Sequence, residues 1–107
     1  MDSITLTESD AGRVTQVASG QTLAIHLIAN HTTGYRWTLA STPKGILTQD
    51  GEPSYAPSSG AAGAGGTETW SFSAKGSGQQ ELRFEYRRPW ERDAKPERAL
   101  TYTIAVR

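Results

Sequence analysis

The 107-residue sequence has no cysteine, which removes disulfides, thiolate metal sites and a cysteine nucleophile together and leaves the redox compartment open. Histidine is scarce. His26 and His31 are the only two, too few and too isolated for a metal site, with no acid at ligand spacing beside them. Long apolar runs are also missing: the longest, Leu23 to Ala29, is interrupted by His26 and falls far short of a membrane span. Met1-Asp2-Ser3 does not begin a signal peptide, so the chain reads as soluble, and a periplasmic or secreted location would require a leader already removed. Charge of one sign is absent too. Eleven Lys and Arg balance eleven Asp and Glu, so no global field draws nucleic acid or an anionic membrane. The stretch richest in basic residues, 83–98, sets Arg83, Arg87, Arg88, Arg92, Lys95 and Arg98 against Glu85, Glu91, Asp93 and Glu97 and reads as a mixed solvated face.

Helical periodicity is the last absence. Apolar residues recur with period two nearly everywhere, the pattern of half-buried strands. Ile4 and Leu6 mark a first weak strand, and residues 13–18 a second anchored by Val14. Gln21 to Ala29 points Leu23, Ile25 and Leu27 one way, with His26 on the solvent face. Tyr35, Trp37 and Leu39 alternate in the next strand, and Ile46 and Leu47 seed a short one. Trp70, Phe72 and Ala74 share a face in Thr67 to Lys75. Leu82, Phe84 and Tyr86 do so in Gln80 to Arg87, and Leu100, Tyr102, Ile104 and Val106 in the last strand. Seven or eight short alternating strands in one domain spanning residues 1–107 predict an all-β, antiparallel immunoglobulin-like β-sandwich without a disulfide, with Trp37 filling its centre.

Connection parity then sorts the loops. If each strand reverses direction, the short turns at Ser19-Gly20, Thr42 to Gly45 and Gly76 to Gly78 share one end of the sandwich. Three longer connections share the other: Asn30 to Gly34, Gly51 to Gly66 and Arg88 to Glu97. The second is rich in Gly, Ala, Ser and Pro and reads as a long loop. A rigid β-sandwich presenting three loops at one end has the form of a binding surface.

Chemistry is harder to find in these loops. Gly63-Ala64-Gly65-Gly66 leads into a strand and has no following Lys-Ser/Thr, which defeats a phosphate-loop reading. Clustered glycines instead let bare backbone lie against a partner. No G-x-S-x-G elbow is present, so a hydrolase is not expected. Trp90 falls outside the inward set of its preceding strand and stands near Arg88, the composition of an interface hot spot.

Together the three tips resemble a known family. Asn30-His31-Thr32-Thr33-Gly34-Tyr35 is similar to the N-P-T-T-G-Y/F loop, Gly63-Ala64-Gly65-Gly66 to the G-x-G-G loop, and Arg88-Pro89-Trp90 to the R-P-W/F loop of the chagasin-like inhibitors of cysteine peptidases. The three occur in the family's order, and the likeness runs on through Thr67 and Glu68. The resemblance implies an immunoglobulin-like, non-enzymatic monomer without cofactor that blocks the cleft of papain-like cysteine peptidases reversibly, with no nucleic-acid or membrane partner. Carried over by position, Thr32, Thr33 and Gly34 would lie near the catalytic thiol and histidine. Gly63, Gly65 and Gly66 would pair by backbone on one side, and Arg88, Pro89 and Trp90 would pack on the other. His31 stands where the family commonly has Pro, which places a titratable group beside the enzyme's catalytic pair and implies a mild pH dependence of inhibition. The competing reading from the residues is a carbohydrate-binding or adhesion module with Trp90 and Tyr55 as stacking platforms.

Overall fold

In a computed structural model the described residues are 3–30, 34–40, 45–57, 65–88, 90–91 and 95–107. Among them are nine strands: β1 (Ser3–Leu6), β2 (Val14–Val17), β3 (Thr22–Ala29), β4 (Arg36–Leu39), β5 (Leu47–Gln49), β6 (Ser54–Pro57), β7 (Gly66–Ala74), β8 (Gly78–Arg87) and β9 (Arg98–Val106). One sheet runs β1-β3-β7, with β5 and β6 both paired to β7; the other runs β2-β9-β8-β4. The result is the expected all-β sandwich of immunoglobulin-like type.

Its core follows the alternation. Leu23, Ile25, Leu27 and Ala29 of β3 and Trp70, Phe72 and Ala74 of β7 are buried against Leu82 and Phe84 of β8 and Tyr102, Ile104 and Val106 of β9. Phe84 sits at the middle, meeting Trp70, Phe72 and Tyr102 edge-on at centroid distances of 5.2, 6.4 and 5.9 Å, the arrangement that aromatic quadrupoles favour. Trp37 is buried as expected, but it lies toward one end of the core, where its indole N–H reaches the Ile28 carbonyl at 2.9 Å.

Three expectations are corrected. The anchor of β2 is Val17 at 3% exposure, whereas Val14 is 57% exposed. The parallel register with β9 sets Val17 beside Val106 and Thr15 beside Ile104, so odd positions face in; a four-residue strand carries too few apolar residues to declare that parity. Residues 51–66 are not all loop, because Ser54–Pro57 forms β6, paired with residues 66–69. Backbone pairing at a sheet margin needs no apolar side chains, so composition could not reveal it. The sandwich is also not wholly antiparallel: β1 joins β3 and β2 joins β9 in parallel. Both parallel strands come from one N-terminal segment, which changes sheets through a 3₁₀ turn at Glu8–Asp10 and Gly12, whose φ of 83° favours glycine.

The parity argument holds for the described turns. The Gly20 N–H donates to the Ala74 carbonyl at 2.8 Å and the Lys75 N–H to the Ile46 carbonyl at 2.9 Å. The turns at Ser19-Gly20 and Gly76 to Gly78 are therefore gathered at one end with Gly45, the one described residue of the expected Thr42 to Gly45 turn, whose residues 42–44 lie outside the described ones. Opposite them lie the ends of β3, β4, β7 and β8 that lead into the three longer connections.

Candidate functional site

Of the residues singled out from sequence, Asn30, Gly34, Tyr35, Gly65, Gly66, Arg88 and Trp90 are described. His31, Thr32, Thr33, Gly63, Ala64 and Pro89 lie outside the described residues. The described ones come together at a single end, and their contacts join one loop to another.

The first and third loops meet at Gly34. Its φ of 85° lies in the left-handed region that glycine adopts without strain. A β-carbon there would sit 2.5 Å from Trp90 Cη2, so the indole rests on bare backbone. Trp90 is still 68% exposed, and its remaining surface is open to a partner. Next to it the Arg88 guanidinium lies over the Tyr35 ring at 4.7 Å, a cation–π contact, and pairs with Glu91 at 4.0 Å. Tyr35 stacks on Tyr86 at 5.3 Å, and Tyr86 packs on Trp37 at 4.9 Å. The Tyr86 hydroxyl oxygen accepts the Asn30 N–H at 3.0 Å.

The second loop returns to the sandwich through Gly65 and Gly66. Gly66 is buried as the first residue of β7, flanked by Ala29 of β3 and Pro57 of β6. A β-carbon on it would meet the Ala56 carbonyl oxygen at 2.5 Å and the Tyr55 ring at 2.7 Å. The two neighbours of Gly66 are strands of its own sheet, and glycine is needed there for close approach. A β-carbon on Gly65 would lie 3.2 Å from the Ala29 carbonyl oxygen, which ties the base of this loop to the start of the first.

Glu68, quoted in the family likeness but given no role from sequence, is 4% exposed. Its carboxylate accepts the Trp70 indole N–H at 3.2 Å and faces the Trp37 backbone N–H at 3.4 Å. Those bonds join the strand leaving the second loop to the strand leaving the first, and they satisfy polar oxygens that burial would otherwise penalise. The inward parity of Gly66, Trp70 and Phe72 was the signal that could have found it. Glu8 carried no such signal. From the 3₁₀ turn its carboxylate accepts the Ile28 N–H at 2.6 Å and pairs with Arg98 of the opposite sheet, whose guanidinium lies 5.4 Å from the Trp37 ring centroid. Side chains thereby cap β3 where β1 has stopped at Leu6.

The stretch expected to be a solvated face is only partly so: the Arg83 side chain is half exposed, but those of Glu85 and Arg87 are mostly covered, at 19% and 23% exposure. Glu85 lies between Arg83 and Arg87 at 3.2 and 3.0 Å, and His26 Nδ1 is 2.9 Å from the Thr69 hydroxyl. Tyr102 is the one described group with a clearly displaced pKa. Burial first, then the Glu8 and Asp10 carboxylates, push its hydroxyl from an ordinary 10.0 up to about 12, with Arg98 opposing. That hydroxyl donates to the Thr7 carbonyl at 2.9 Å.

Comparison with known proteins gives this all-β sandwich a family. Residues 16–106 match the Chagasin family peptidase inhibitor I42 description, and the chain belongs to that family, whose members are protease inhibitors and not enzymes. It is 32% identical over 90 residues to chagasin of Trypanosoma cruzi, covering 79% of this chain and 81% of the relative. The solution structure of amebosin superposes with a TM-score of 0.77 at 30% identity, covering 100% of both chains. A cysteine protease inhibitor from Entamoeba histolytica shares the fold at a TM-score of 0.83 and 23% identity, over 98% of this chain and 95% of that one.

Proposed function

We propose that this chain is a reversible, tight-binding inhibitor of papain-like cysteine peptidases, and that it occludes the active-site cleft with the three loops gathered at one end. The observation that carries this reading is the mutual bracing of the loop bases: Trp90 on Gly34, Tyr86 on Asn30 and Tyr35, and Gly65 against Ala29. Loops already braced lose little conformational entropy on docking. A protease–inhibitor interface of about 1,600 Å² can then be very tight. The first loop, 30–35, would enter as the central wedge, with residues 63–65 on one side and 88–90 on the other. Escape from cleavage requires only that no peptide bond is held in line with the nucleophile. The carbohydrate-binding alternative has less support, since the Tyr55 ring lies against Gly66 of its own chain.

Titrating the protein into papain while following a fluorogenic peptide tests the proposal. The expected outcome is loss of activity at a stoichiometric ratio, recovery on dilution, and an inhibitor of unchanged mass after long incubation. Activity that survives a large excess of inhibitor would overturn it. The His31→Pro variant, compared from about pH 5 to 8, should flatten a shallow pH dependence of inhibition; an identical profile removes a role for that histidine.

A further inference from the structure

Tyr86 lies just outside the third loop motif, and nothing in the likeness of the loop tips gives it a role. Its backbone is held on both sides, opposite Trp37 of β4 and opposite Arg98 of β9, and its carbonyl accepts the Glu97 N–H at 2.8 Å. The alternation that buries Leu82 and Phe84 carries Tyr86 to the same side, at the point where the core ends. There it touches the first loop at both of its ends. Its hydroxyl takes the Asn30 N–H at 3.0 Å, and its ring stacks on Tyr35 at 5.3 Å. Just past the end of that strand, the Arg88 guanidinium also lies over the Tyr35 ring, 4.7 Å from its centroid.

We infer that Tyr86 is a positioning residue for inhibition: it pins both ends of loop 30–35 to the strand that launches the third loop, so that the two loops dock as one piece. The inference rests on the functional reading above. The physical reason is the location of the pin on a rigid element. A loop closed only by its own turn keeps its tip free to swing. The same loop fastened at each end to a strand paired on both sides has its span fixed before any partner arrives. The hydroxyl and the ring do separate parts of this, one holding the outgoing end of β3 and the other the incoming end of β4.

Tyr86→Phe separates the two parts, since it keeps the ring and removes the bond to Asn30. In the free protein, amide exchange at Asn30 should speed up by about tenfold, the factor that corresponds to losing one hydrogen bond. The inhibition constant for papain should rise by a similar factor, mostly through faster dissociation. Tyr102→Phe is the control, because it deletes another hydroxyl bonded to backbone, that of Thr7, and should leave the inhibition constant unchanged. Unchanged exchange at Asn30 in Tyr86→Phe overturns the pin. Faster exchange with wild-type inhibition overturns its role in positioning, as does an equal loss of inhibition in Tyr102→Phe. Should the wild-type protein fail to inhibit at all, the functional reading falls, and exchange at Asn30 still decides whether the pin exists.

Discussion

The two ends of this sandwich differ in the balance of contacts that close them. At the turn end most are backbone to backbone, Gly20 to Ala74, Ala74 to Gln21, Lys75 to Ile46, and Arg107 to Val17, all between 2.8 and 3.1 Å, with side chains adding Ser19 Oγ on the Lys75 carbonyl and Gln21 Oε1 on the Ala18 N–H. At the loop end, many of the joining contacts involve a side chain: the Tyr86 hydroxyl on Asn30, the Trp37 indole on the Ile28 carbonyl, the Glu8 carboxylate on the Ile28 N–H, and Trp90 on Gly34. Backbone closure tolerates most substitutions, whereas side-chain closure makes loop placement depend on particular residues. Placement of the loop bases therefore depends on a few side chains, whereas the opposite end rests mostly on backbone turn bonds.

The sharpest test of that contrast is the pair Gly34 and Trp90. Trp90→Ala removes both the exposed indole and the cover over Gly34, and should weaken inhibition by about 2 kcal/mol or more, roughly thirtyfold. Gly34→Ala should cost a comparable amount, because its β-carbon would displace the same indole from 2.5 Å. Since the two residues touch, the double variant should lose clearly less than the two single losses added together. Full additivity in the measured inhibition constants would mean that the loops act separately.

Next in size is Glu68→Ala, expected to lower unfolding free energy by about 2 kcal/mol by stranding the Trp37 and Trp70 donors. Urea titration should show a lower midpoint, and an unaltered midpoint would make this carboxylate dispensable to the loop end. A smaller effect follows from Tyr102, whose folded pKa of about 12 exceeds the ordinary 10.0. Below pH 10 both states hold the proton and the stabilisation is complete. As pH rises from about 10 toward 12 the unfolded chain releases it first, so stability falls, by about 1 kcal/mol at pH 11. Tyr102→Phe should be about 1 kcal/mol less stable at neutral pH and should lack that share of the alkaline decline. Parallel slopes in the two proteins would remove Tyr102 as the cause.

How much of this was readable in advance varies by kind of contact. Strand alternation located the buried faces of β3, β7, β8 and β9, because a period of two is written directly into Leu23-Ile25-Leu27 and Leu82-Phe84. Strand reversal was enough to sort the loops by end. What stayed hidden were pairings between distant segments. Glu8 meets Ile28 and Arg98, twenty and ninety residues away, and no local pattern encodes that. β6 is recognisable only through the strand it joins. Gly66 was read as a contact because it stands in a glycine-rich tip, yet its need for hydrogen in place of a side chain arises from Tyr55 and Ala56, which only the folded sheet brings alongside.

The smallest expected change is also the cleanest contrast. Gly45, at the turn end, has a φ of 92° and no atom of another described residue within 4 Å of where a β-carbon would stand. Gly34 has nearly the same backbone geometry, with φ of 85°, but an indole in that space. Alanine at either position meets the same left-handed penalty, about 1 kcal/mol. At Gly45 that penalty should be the whole effect, visible as a lower thermal midpoint with the inhibition constant unmoved. At Gly34 the same strain is joined by the displaced indole, so inhibition should fall well beyond what the loss of stability explains. If both variants lost stability and inhibition in the same proportion, the two ends would be mechanically equivalent, and the bracing of the loops by side chains would have no bearing on binding.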